Sequence, residues 1–122
     1  MGAKILIVDD DPEMASLIQT TLEQSGYNIN ICDDGEDVMV SLNAFNPDLL
    51  ITDIMLPGMD GYSLVTLLAD DEKLSKLPII VLSALTPSRS MFETFPQVKA
   101  FLGKPFKTEE LTAAVKATLA NS

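Results

Sequence analysis

Histidine and tryptophan are absent from this chain of 122 residues, and cysteine occurs once. Without histidine the usual general base and the commonest metal ligand are missing, so any chemistry must run on carboxylates, lysines and hydroxyls. A lone Cys32 cannot form an internal disulfide, which suits a reducing, cytoplasmic setting. It reads as a buried structural thiol. Basic residues are scarce as well: eight against eighteen acids, for a net charge of −10. That balance argues against direct binding of nucleic acid or an anionic membrane, since both need a positive surface. Long apolar runs are also lacking. None approaches the roughly 20 residues that span a bilayer, and the start has no signal-peptide core.

What remains is a globular composition, 47% hydrophobic and 21% charged, of a length that suits one domain over residues 1–122. Short apolar runs alternate with helical patterns from end to end. Lys4 to Val8 is a strand covered on both faces, and Asp11 followed by Pro12 starts a helix that Gly26 ends. Between them Met14, Leu17, Ile18 and Leu22 recur at helical spacing. Tyr27–Ile31 alternates as an edge strand, and Val38, Leu42 and Phe45 belong to a second helix ending before Asn46-Pro47. Asp48–Thr52 and Pro78–Leu82 are further strands, with a helix carrying Leu64, Leu67 and Leu68 between them. A weaker strand spans Val98–Leu102, and Thr108 caps a last helix whose stripe is Leu111, Val115 and Leu119. Five strands alternating with helices predict an α/β fold, a doubly wound five-stranded parallel sheet with helices on both faces.

In such sheets the functional crevice lies beyond the carboxyl ends of the strands. Asp9, Asp10 and Asp11 follow strand one, Asp53 follows strand three, Ser83 strand four and Lys104 strand five. Singly each has an ordinary explanation, as a helix cap, a turn residue or a solvated loop lysine. Jointly they place a carboxylate cluster, a hydroxyl and a cation on one edge. Carboxylates so gathered repel one another unless a cation intervenes, and hard oxygen ligands suit Mg²⁺. With cations in place, Asp53 is a workable in-line nucleophile toward a phosphoryl group, Lys104 pairs with a phosphate oxygen and Ser83 donates to another.

The runs Ile5–Pro12, Pro47–Gly61, Val81–Ala84 and Lys104-Pro105-Phe106, in this order and spacing, resemble the receiver domain of bacterial two-component systems over essentially the whole chain. The resemblance implies a flavodoxin-like strand order 2-1-3-4-5. It also implies phosphorylation of Asp53 by a histidine kinase or histidine phosphotransfer protein. Mg²⁺ would be held directly by Asp10, Asp53 and the backbone carbonyl of Met55, with Asp9 acting through water, and the Lys104-Pro105 bond would be cis. Ser83 and Phe101 would be the switch residues, and a homodimer is a further partner. The expectation is a signalling domain, catalysing only its own phosphorylation and slow dephosphorylation. It is either a whole regulator or part of a larger regulator or hybrid kinase.

One stretch departs from the family pattern. Residues 85–98 lack the usual Gly-Ala turn and are bounded by Pro87 and Pro96. A proline inside a helix costs about 3 kcal/mol, so the fourth helix is expected to be short or irregular, with Met91, Phe92 and Phe95 read as core. Three rivals stand beside the receiver. A haloacid-dehalogenase-like phosphatase shares the acids at 9 and 11 but needs a later acidic pair. A pseudo-receiver keeps the fold and drops the phosphorylation, usually with loss of an acid or the lysine. A flavin binder would need a phosphate-cradling loop where this chain has three acids.

Overall fold

The apolar runs at positions 5–8, 49–51 and 79–82 have no solvent exposure at all, because the sheet they form is covered on both faces. The computed structural model describes residues 2–53, 61–83, 95–103 and 106–120. Its strands are β1 (Lys4–Val8), β2 (Asn28–Cys32), β3 (Leu49–Asp53), β4 (Ile79–Ser83) and β5 (Val98–Gly103). All neighbours pair in parallel, in the order β2-β1-β3-β4-β5. Among the described residues the α-helices are α1 (Pro12–Gln24), α2 (Val38–Phe45), α3 (Gly61–Ala69) and α4 (Thr108–Ala120), with a 3-10 turn at Gly35–Asp37 leading into α2. None of them is long and apolar enough to cross a membrane.

Strand alternation sorts the core into two layers. Leu6, Val8, Leu50, Ile79 and Val81 face Val38 and Leu42 of α2 and Leu64, Val65 and Leu68 of α3. Ile5, Ile7, Leu49, Ile51, Ile80 and Leu82 face Ile18 and Leu22 of α1 and Leu111 and Val115 of α4. β5 joins this scheme through a register shift: Ile79 pairs Val98 and Ile80 pairs Ala100, so Lys99 is the extra residue. The bulge resets the phase and turns Phe101, opposite Val81, toward the α2/α3 layer.

α1 shows how local chemistry sets the entry and exit of an element. Asp11 accepts from the Glu13 and Met14 amides at its N-terminus, with Pro12 in the first position. At the other end the Gly26 amide donates to Glu23 and the Tyr27 amide to Leu22, both satisfying carbonyls the helix leaves open. Gly26 has φ +94°, and a Cβ there would meet nothing within 4 Å. Gly26→Ala should therefore lose about 1 kcal/mol through backbone conformation alone, seen as a lower denaturant midpoint at unchanged slope. Lys4 plays a similar part for α2: its ammonium donates to the Phe45 carbonyl at 3.2 Å, where the macrodipole favours a cation.

Helical spacing does not by itself decide which leucines are buried. Leu17 and Leu67 are 48% and 44% exposed; the inward faces are instead filled by Ala15 on α1 and Val65 on α3. Thr108 does not cap α4. The Lys107 carbonyl accepts the first helical bonds from Glu110 and Leu111, and the Lys107 amide donates to the Glu110 carboxylate at 3.0 Å, which makes Lys107 the flanking residue. The Thr108 hydroxyl turns instead to Glu109 at 2.8 Å and holds that carboxyl below its ordinary range. The expected short or irregular helix between β4 and β5 falls on residues outside those described, as do Met91 and Phe92. Phe95 packs against the α2/α3 layer, as a core residue should.

Candidate active site

Val8 is in register with Thr52, so one further step along these parallel strands brings Asp9 beside Asp53. Asp53 closes β3 and is 8% exposed; Asp9, just past β1, is 1% exposed. Asp10 follows on the solvent side. One carboxylate oxygen from each of the three lies within 4.8 Å of the others. Asp53, more than forty residues beyond Asp9 and Asp10 in the sequence, thus joins them as one group in space.

Local bonds fix how these acids are held. The Asp9 amide donates to the Cys32 carbonyl at 3.1 Å, tying the end of β1 to the end of β2. The Asp9 carboxylate accepts from the Asp11 amide at 2.9 Å, which holds it at the start of the bend leading into α1. Beneath Asp53, the fully buried Thr52 donates its hydroxyl to the Asp53 carbonyl at 3.0 Å. Asp53 is in register with Leu82, so Ser83 sits one residue further along the neighbouring strand and is 3% exposed. Ser83 is in phase with Val81 and with Phe101 opposite it, so the two expected switch residues share the α2/α3 side of the sheet. The Phe101 ring is half-buried there. Met55, Lys104 and the Lys104-Pro105 bond lie outside the described residues.

The donor set fits a small hard cation. Ligand oxygens about 2.1 Å from one Mg²⁺ lie at most about 4.2 Å apart, so carboxylate oxygens within 4.8 Å of one another need only a slight approach, or one bridging water, to share an ion. Two neighbouring residues were not singled out from the sequence. Asp33 and Ser16 join Asp9 and Asp10 around a cavity of about 410 Å³ between α1 and the end of β2. Asp33 directly follows Cys32, so the strand-end rule that found Asp9 and Asp53 would also have found it.

Comparison with known proteins agrees with this geometry. Residues 5–116 match the response regulator receiver domain family. The DNA-binding dual master transcriptional regulator RpaA of Synechocystis is 35% identical over 95% of this chain and 48% of its own length. This chain spans about half the length of the curated relatives it matches. Among solved structures, a response regulator from Chloroflexus aurantiacus superposes with a TM-score of 0.92 at 31% identity, covering 98% of this chain and 99% of the other. The receiver domain of the sensor histidine kinase PA1611 from Pseudomonas aeruginosa superposes with a TM-score of 0.87 at 30% identity, covering 98% and 99%. Its structure carries a magnesium ion coordinated in the active-site cleft. In fold, in the gathering of acids at the strand ends and in sequence, the chain belongs to the response regulator receiver domain family.

Proposed function

We propose that this domain is the phosphoacceptor switch of a two-component phosphorelay. The observation that carries the reading is the placement of Asp53 at the end of a buried strand with the Asp9 and Asp10 carboxylates within 4.8 Å. An Asp53 oxygen attacks phosphorus in line, forming a P–O bond as the P–N bond of a partner's phosphohistidine breaks and its electron pair returns to the imidazole. The donor is a histidine kinase or histidine phosphotransfer protein. Asp10, Asp53 and the Met55 carbonyl would hold Mg²⁺, with Asp9 assisting through water, and the ion would supply positive charge toward the phosphoryl oxygens. Lys104 pairs with one phosphoryl oxygen and the Ser83 hydroxyl donates to another. Ser83 and Phe101 share one side of the sheet, which supports a readout in which movement of Ser83 toward the phosphate is felt at Phe101.

The setting is the cytoplasm, where the kinases that feed such relays act, and a second copy of the chain is a further partner. DNA binding is named for relatives about twice as long. With a net charge of −10, this domain is a poor match for a polyanion, so any DNA contact in such an assembly belongs to another segment.

Incubation with acetyl phosphate and Mg²⁺, followed by intact mass measurement, tests the proposal. One phosphoryl adduct is expected, and none when the metal is chelated. A wild-type protein that stays unmodified under those conditions is a pseudo-receiver instead. Sustained turnover of a generic phosphomonoester would make it a phosphatase.

A further inference from the structure

At the end of the sheet remote from the carboxylates, a cavity of about 300 Å³ opens between the exit of α2 and the turn that leads into β4. Its floor is apolar, with Leu74, Leu77 and Pro78 contributing and all three buried. Its rim carries Lys73, Lys76 and Asn46. Both lysines are exposed, and neither ammonium has an ion-pair partner among the described residues. In a chain with only eight basic residues, two lysines three positions apart over an apolar floor, neither paired to an acid among the described residues, stand out from the acidic surface. Asp48, whose carboxylate accepts the Lys4 backbone amide at 2.9 Å, also borders the cavity and keeps its charge, which leaves the two lysines in excess among the lining side chains.

The turn that presents the lysines is fixed before anything binds. Asp71 accepts from the Lys73 and Leu74 amides through its side chain and from the Leu74 and Ser75 amides through its carbonyl. From the far side Gln97, 5% exposed, donates its amide to the carbonyls of Leu74 at 3.2 Å and Leu77 at 2.9 Å. A rigid rim of this kind spares a ligand the ordering cost of a loop.

We propose that this cavity is a docking site for an acidic peptide segment of a partner protein. An aliphatic side chain would fill the apolar floor, and carboxylates on either side of it would pair with Lys73 and Lys76. Charge complementarity selects an acidic occupant, and the apolar floor selects a peptide over a free anion. The cavity lies across the sheet from Asp53, so occupancy leaves the phosphoryl site open and does not depend on the function proposed for it.

The test is a titration of the ¹⁵N-labelled chain with a short peptide holding one leucine between glutamates. Saturable amide shifts should centre on residues 73–77 and Asn46 and weaken with added salt. The double variant Lys73→Glu/Lys76→Glu, which changes only exposed side chains, should bind about tenfold more weakly. It should keep the wild-type spectrum elsewhere. Absence of shifts, shifts centred elsewhere, or unchanged binding by the double variant would overturn the assignment. Equal binding of a glutamate peptide without leucine would also overturn it, because it would reduce the site to simple anion attraction.

Discussion

Asp53→Asn should abolish the phosphoryl adduct altogether. An amide oxygen is a far poorer nucleophile than a carboxylate, and the remaining acids are not placed to replace it. Asp9 is engaged with the Asp11 amide and almost wholly buried, while Asp10 follows it on the solvent side. The substitution also takes one charge from a cluster of three whose oxygens lie within 4.8 Å, so it should weaken Mg²⁺ as well as remove the acceptor. At a metal concentration 100 times the dissociation constant, binding stabilises a protein by about 2.7 kcal/mol. A tenfold loss of affinity would remove about 1.4 kcal/mol of that. Mass measurement after acetyl phosphate treatment reads the first effect, and thermal melts with and without Mg²⁺ read the second. An adduct of the same mass on the Asn variant would place the acceptor elsewhere. A metal-dependent stabilisation equal to that of the wild type would mean that Asp53 does not touch the ion.

The acids were legible in the sequence for a geometric reason. Runs such as Ile5–Val8 and Leu49–Ile51 have no polar face, so they could only be strands covered on both sides, and residues that follow parallel strands converge. What local pattern left open was phase and boundary. Three strands begin one residue later than their apolar runs suggest, at Asn28, Leu49 and Ile79. Two causes are visible: the Tyr27 amide closes the end of α1, and Pro78 has no amide to give to a ladder. The later boundaries draw Asp53 and Ser83 into the sheet itself, so both sit on rigid strands and not on loops. The bulge at Lys99 has no signature in a stretch of mixed polarity, yet it decides which layer receives Phe101. Leu17 and Leu67 carry the right spacing for a buried stripe and are half exposed all the same. A helix lying on a flat sheet buries a narrow band, and Ala15 and Val65 already occupy it. The cavity beneath Lys73 and Lys76 was invisible, because it joins two turns from opposite halves of the chain.

Leu50→Ala should separate the stability of the fold from the chemistry at its edge. Leu50 lies on the central strand, paired to Leu6 on one side and Ile79 on the other, with no exposure. Its side chain belongs to the layer against α2 and α3. Its layer is built from other fully buried side chains such as Leu6, Val38, Leu42 and Leu64, so the loss should fall at about 3–5 kcal/mol within the usual range for such truncations. Against a total stability of about 5–15 kcal/mol for a domain of ordinary size, that should lower the melting midpoint by roughly 10 °C or more. Leu17→Ala, with 48% of its surface exposed, should change stability by no more than about 0.5 kcal/mol. Asp53 lies three residues beyond Leu50 on the same strand, and its position is set by ladder pairing with Leu82 and by the Thr52 hydroxyl beneath it. Below its lowered midpoint the Leu50 variant should therefore accept a phosphoryl group to the same extent as the wild type. A folded Leu50→Ala protein with a depleted adduct would show that core packing, beyond backbone pairing, aims the Asp53 carboxylate.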